Sequence, residues 1–241
     1  MTAGAWWRSA TVLMLVVAAL LLARVWSRAP VQAPLPTTIP GGNGVAQLPP
    51  PEILEAARTA LVEARSVRLR GEFDDAGSPI SMDVLLLAEG DASGWVASEG
   101  RRFRLINTGG RTYLRGRKAL EHWANATVAD YVGDRWVLVP DKGDGFPGAM
   151  DLVQFADQTL GPEAGASFVT GPTDTVGGQP AIRLDGVEGS WWIALTGPPY
   201  PLRLETRVAV DGPVQHLDLS EFDSHAEVNA PKDPIDLAEL D

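Results

Sequence analysis

Hydrophobic and polar residues alternate along much of this chain with a period of two. In "SVRLRGEF", Val67, Leu69 and Phe73 fall on one side while Arg68, Arg70 and Glu72 fall on the other. In "RRFRLIN", Phe103 and Leu105 oppose Arg102 and Arg104. Successive side chains of a strand point to opposite faces, so each stretch predicts a strand with one buried face. "RTYLRG", "RWVLVP", "PAIRLDG", "SWWIALT", "PLRLETRVAV" and "VQHLDLSEF" predict more, separated by turns rich in Gly, Asp and Pro. Eight or more short strands in hairpin-length succession predict a large antiparallel sheet.

The period changes in three places. "PEILEAARTALVEARSV" repeats Ile53, Leu54, Ala57, Leu61 and Ala64 at helical spacing, behind a proline that suits a helix start. "KALEHWANATVADYV" (118–132) and "GAMDLVQFADQTLG" (148–161) predict two more helices. The expected order is one helix, a run of strands, two helices, then strands to the end. Two strands break simple amphipathicity. In "ISMDVLLLA", Val84 and Leu86 point one way and Leu85 and Leu87 the other, and in "SWWIALT" Trp191 and Trp192 diverge in the same manner. Strands apolar on both sides have both sides covered.

The first fifty residues follow another pattern. "WWRSATVLMLVVAALLLARVW" runs from Trp6 to Trp26, with fifteen uncharged residues between Arg8 and Arg24. Fifteen is short for a spanning helix. The Trp-to-Trp length, however, matches a hydrocarbon core of about 30 Å, and indole rings favour the interface while arginines snorkel outward. Cleavage after Ala29 or Ala33 would place Pro30 or Pro34 just beyond the cut. The expectation is a short tail (1–8), an uncleaved transmembrane anchor (9–26) with its N-terminus inside, and a single-pass protein of the cytoplasmic membrane. Residues 27–51, with seven prolines, form a linker, and 52–241 form one extracytoplasmic domain.

Charge narrows the function. All 31 acidic residues stand at Glu52 or later, against 17 basic ones, so the domain carries a net charge of −14. Such a surface excludes nucleic acid as a partner. The lack of cysteine removes thiol chemistry, and His122, His216 and His225 show no metal-binding spacing. "GVEGSWW" lacks the second glycine of a nucleophile elbow, and "DKGDGFPG" puts glycines where calcium ligands belong. The expectation is a protein that is not an enzyme, with no cofactor and no metal.

Three stretches carry a resemblance: "ALVEARSVRLRGEF", "GSWWIALTGPPYPLRLE" at 189–205 and "LDLSEFDSHAEVNAPKDPIDL" at 217–237. With the element order, they resemble the actinobacterial envelope lipoproteins of the LppX/LprG type, related in fold to the LolA and LolB carriers. The resemblance implies an α+β fold, a strongly curved antiparallel half-barrel with helices on its concave face, and an apolar cavity for acyl chains. It departs from the family at the lipid-bearing cysteine, which is missing here, so the apolar run would replace the lipid tether.

The function so implied is binding or transfer of a membrane lipid as cargo. The alternative is the same fold without a cavity, docking to an envelope protein partner. Candidate cavity residues come from the pattern alone: Trp95, Phe103, Tyr113, Trp123, Trp136, Met150, Phe155, Ile182 and Trp192.

Overall fold

The computed structural model describes residues 41–75, 78–140, 151–160, 168–186, 189–207 and 214–240. The apolar run, most of the linker, "DKGDGFPG" and Met150 lie outside the described residues. Among the described residues, no helix is long and apolar enough to cross a membrane.

The folded unit takes in the end of the linker. Asn43 is pinned to the later chain, its N–H donating to the Leu195 carbonyl at 2.9 Å and its Nδ2 to the Ala194 carbonyl at 3.0 Å. Val45 is buried in a 3-10 turn (Val45–Gln47). Helix α1 (Pro50–Glu63) then starts with two prolines, where a missing N–H costs nothing. It buries Ile53, Leu54, Ala57, Ala60 and Leu61. Fully burying an Ile or Leu contributes about 1.5–3 kcal/mol.

Five hairpin-linked strands follow: β1 (Ser66–Asp75), β2 (Ser78–Leu87), β3 (Ala92–Ser98), β4 (Arg101–Thr108) and β5 (Arg111–Arg115). The single helix expected over 118–132 is two, α2 (Arg117–Trp123) and α3 (Ala126–Val132). The break falls at Asn125, whose side chain accepts from the Val128 N–H and so caps α3 instead of continuing α2. The short β6 (Val137–Leu138) and helix α4 (Leu152–Leu160) lead to β7 (Val169–Val176), β8 (Gln179–Asp185), β9 (Gly189–Ala194), β10 (Pro201–Arg207) and β11 (Val214–Ser220). The last strand is β12 (Ile235–Asp236).

All twelve strands join one curved sheet in the order β12-β6-β5-β4-β3-β2-β1-β11-β10-β9-β8-β7. The sheet is mixed, correcting the purely antiparallel expectation: β12 runs parallel to β6, pairing Ile235 with Val137. The geometry follows from the route of the chain. After Ser220 it does not turn back as a hairpin but crosses from β11, inside the sheet, to the edge beyond β6 as an extended strap, 221–234. Phe222, Ser224, Ala226 and Val228 are half-buried along it while Glu221, Asp223, His225 and Glu227 are exposed. Thr108 Oγ1 donates to the Val228 carbonyl at 3.2 Å, and Ser66 Oγ donates to the Glu221 carbonyl at 2.6 Å.

The helix-covered face, here the inner face, carries the main core: Leu69, Ile80, Val84, Leu86, Val96, Phe103, Leu105, Leu114, Ile182, Leu184, Trp191, Ile193, Leu217 and Leu219 beneath the helices. Glycines permit its bend. Gly71, Gly94 and Gly189 all fall on inner-face positions, and an added Cβ at each would strike the neighbouring strand's backbone, at His216, Asp83 and Glu205 respectively. Absent side chains let adjacent strands coil closely.

Candidate functional site

Helices cover the inner face in two pairs. Helix α1 packs on α4 and touches β10, while α2 packs on α3 and leans on β4. Between these zones run β3, β2, β1 and β11, whose inner side chains form an apolar floor of Val96, Met82, Leu69 and Leu217. The floor has a simple cause in sequence: the inner positions of these strands are mostly aliphatic, with glycine at Gly71 and Gly94, and pairing in register brings the aliphatic ones side by side. Leu69 faces Val84 on one neighbour and Leu219 on the other.

The nine candidate residues do not form one constellation. Phe103, Phe155 and Ile182 belong to the main inner core, on β4, α4 and β8. Trp95, Tyr113 and Trp192 stand on the outer face, in register with Arg104, Ile106 and Arg203. Trp136 is half-buried just before β6, its carbonyl accepting from the Ile235 N–H at 2.9 Å. Trp123 ends α2, and its side chain, like Met150, lies outside the described residues.

The two-sided strands find their cover here. On β9, Trp191 enters the main core. Trp192 joins a second, outer cluster with Val176, Ala181, Ala194 and Leu202, against which Tyr200 and Phe222 pack. Leu202 reaches this cluster from a bulge between Pro201 and Arg203. The Tyr200 and Phe222 rings stack with centroids 4.0 Å apart and planes 1° from parallel. On β2, Leu85 and Leu87 are half-buried on the outer face.

An open surface groove of about 490 Å³ lies between α1 and the turn before β10, lined by Glu55, Ala56, Thr59, Ala60, Glu63, Pro198, Pro199 and Tyr200. Sequence patterning did not point to it, because α1's exposed side and a Pro-Pro turn meet only in the fold. At its end the Tyr200 hydroxyl donates to Asp223 Oδ2 at 2.6 Å, and the Arg65 N–H donates to Oδ1 of the same carboxylate at 2.9 Å.

Burial first, then the hydrogen bond to Asp223, pushes Tyr200 up to about 12. The Tyr200 bond, with help from the Arg65 N–H, holds the Asp223 carboxyl below its ordinary 3.8. The depressed acid contributes stability above that ordinary value and loses it as pH falls through the folded value. The raised phenol contributes below its ordinary 10.0 and loses it as pH rises toward about 12. Tyr200→Phe should therefore cost about 0.5–1 kcal/mol at neutral pH, a modest figure because the carboxylate is solvated. Urea denaturation of both proteins across pH should show the difference shrinking at both extremes. A difference independent of pH would contradict this anchor.

Other titratable groups are dispersed. No cluster of His, Asp and Glu able to hold a metal occurs among the described residues. His216 Nε2 stands 3.7 Å from Asp218 Oδ2, while His122 and His225 are exposed on α2 and the strap. Ser190 Oγ donates to Asp185 Oδ1 at 2.6 Å, an arrangement that holds the β8–β9 turn.

No family model matches this chain, and no curated protein matches it. Among solved structures, it is similar to LprF from Mycobacterium bovis, with a TM-score of 0.52 at 13% identity over 76% of this chain and 96% of LprF. The shared fold is the LppX/LprG-like one. A conserved protein from Thermus thermophilus follows at 0.39 and 15% identity over 77% of this chain and 96% of that one. MucB in its complex with MucA from Pseudomonas aeruginosa follows at 0.38 and 12%, over 76% and 59%. Both lie below the level at which a fold is shared.

Proposed function

We propose that this is a membrane-tethered cell-envelope protein that holds an acyl lipid on the inner face of its sheet, as a carrier and not a catalyst. The sheet is read as a half-barrel with the helices in its concave side. The Trp6–Trp26 run is read as a single-pass anchor that puts the domain outside the cytoplasm. The observation that carries the proposal is the apolar floor of Leu69, Met82, Val96 and Leu217 lying between two separate helix pairs. Leu69, Met82, Val96 and Leu217 are themselves buried beneath the helices, so an acyl chain would reach them by parting the two pairs. An acyl chain is the ligand such a floor suits, because it asks for apolar area and no polar partner. The LprF-like fold supports the same reading.

Organic extraction of the purified full-length chain, with lipid quantified against protein, tests it. Near one lipid per chain is expected. Met82→Trp, which fills the middle of the floor, should bring lipid to background while the protein keeps a cooperative melting transition. Equal lipid in both proteins would overturn the proposal. The groove between α1 and the Pro198–Tyr200 turn favours a second reading, a docking module for another envelope protein. A lipid-free wild type that refuses added lipid would leave that reading standing.

A further inference from the structure

The domain's charge is segregated along the chain. "RRFRLINTGGRTYLRGRK" (101–118) holds six arginines, one lysine and no acidic residue, and the rest of the domain carries −21. The fold turns this stretch into a face. Arg102 and Arg104 on β4 and Arg111 and Arg115 on β5 all point to the outer side, opposite Phe103, Leu105 and Leu114. Trp95 on β3 stands in register with Arg104, and the Arg102 guanidinium lies 3.9 Å over its ring.

Little neutralises this face. Arg115 is paired with Asp134 by two bonds of 3.1 and 2.6 Å. Arg104 shares the Asp134 charge at longer range without an ion pair within 4 Å, Arg111 has no ion pair among the described residues, and Arg102 lies on the indole. On the adjoining strands, Arg70 faces the buried Asp83 at 3.4 Å, and Arg68 is divided between Asp83 and Glu221. Arg104 and Arg115 are direct cross-strand partners, a like-charge pair that destabilises a sheet. A feature that weakens the fold locally calls for a use elsewhere.

We propose that this outer face of β3–β5 docks on an anionic lipid surface, through lipid phosphates. This rests on the tethered-carrier reading, which keeps the domain beside a bilayer. Three observations select a bilayer over an acidic protein. The cations are almost all arginine, whose planar fork matches phosphate oxygens. They are spread over a strand surface, alternating along β4 and across to β5, as a layer of many headgroups requires. Trp95 is half-buried among them and has the amphipathic ring that suits the headgroup layer. The acidic remainder of the domain is repelled by the same surface, so docking also sets orientation. It turns the outer face to the bilayer and leaves the groove of α1 facing away from it.

The absence of cysteine allows a direct test with the full-length chain. Ser93→Cys puts a polarity-sensitive fluorophore on the outer face beside Trp95, and Glu52→Cys puts one on α1 as a control. The probes are vesicles of phosphatidylcholine alone and of phosphatidylcholine with an equal part of phosphatidylglycerol. The Ser93 label is expected to be shielded from a water-soluble quencher on the anionic vesicles only, and the Glu52 label on neither. Replacing Arg102, Arg104 and Arg111 together by Gln should weaken the phosphatidylglycerol-dependent shielding about a hundredfold, roughly fivefold per arginine. All three are exposed, so folding is not at stake.

Flotation with the neutral vesicles reads the tether separately. A chain that fails to float there has no inserted anchor, while anionic shielding still reports on the face. Equal exposure of the Ser93 label on both vesicles, or unchanged shielding in the triple variant, would overturn the proposal. The first of these outcomes would point to an acidic protein as the ligand of the face.

Discussion

Gly94→Val is expected to cost about 4 kcal/mol or more, enough to unfold a domain of ordinary stability. Gly94 sits on the inner face of β3, where the neighbouring β2 passes unusually close. A Cβ there would overlap the Asp83 carbonyl oxygen and stand 2.6 Å from Val84 Cα. Both obstacles are backbone, so no rotamer change relieves them, and moving β2 away breaks the ladder from Ile80–Ser98 to Leu86–Ala92. Asp83 cannot follow easily either, because it is buried and accepts from Arg68 Nε at 2.6 Å. Valine adds two methyl groups to that overlap.

The control is Gly90→Ala, in the turn between the same strands. Gly90 has φ of +88° and no atom within 4 Å of a built Cβ, so it should cost only about 1 kcal/mol of backbone strain. Urea denaturation of the three proteins measures both. A Gly94→Val protein within about 1 kcal/mol of wild type would mean that β2 and β3 do not approach as described, and the bend of the sheet would need another cause.

How far the fold was legible follows from particular stretches. β1, β4 and β8 were readable because each alternates bulky apolar with charged residues. β3, "ASGWVAS", was not, since its inner face is built of Ala92, Gly94 and Val96, small where the strands crowd. β7 was hidden by Gly171 and Pro172, which weaken a strand pattern but are tolerated at the sheet edge where β7 lies. The break between α2 and α3 could have been found, because Asn125 precedes Ala126 with cap chemistry and only helical continuity hid it. The parallel pairing of β12 with β6 had no local signal. It depends on how far the strap travels.

The candidate site was legible in part. Size and aromaticity, the traits that single out its residues, ignore strand parity. Parity separates them: Phe103 alternates with Arg102 and Arg104, so it faces inward, while Tyr113 precedes the inward Leu114 and must face out. Met82 and Leu217, which form the middle of the floor, are ordinary letters in strands. Only the register with Gly71 shows them as neighbours across β1. The basic run at 101–118 was visible as letters, but net charge averaged it away.

The two adjacent tryptophans of β9 should respond in opposite ways, which tests whether the sheet has two separate cores. Trp191 is 3% exposed in the main core, opposite Leu184 on β8 and Leu204 on β10. Trp191→Ala should cost about 3–5 kcal/mol, because a cavity opens beneath α1 and α4 where the sheet cannot collapse. Trp192 is nearly as buried, but in the small outer cluster, and its Nε1 has no acceptor among the described residues. A buried unpaired N–H costs about 1–3 kcal/mol. Trp192→Phe removes that donor and keeps a ring against Leu202 and Phe222, so its lost area is offset, and the net change should lie within about 1 kcal/mol of zero. The two variants should also separate in function. Trp191 shares the inner layer with the floor, so lipid content should fall with Trp191→Ala even at temperatures where the protein stays folded. Trp192→Phe should leave it unchanged. If both variants lose lipid equally, the two clusters are one coupled unit, and the division of the sheet into a lipid face and a structural face fails.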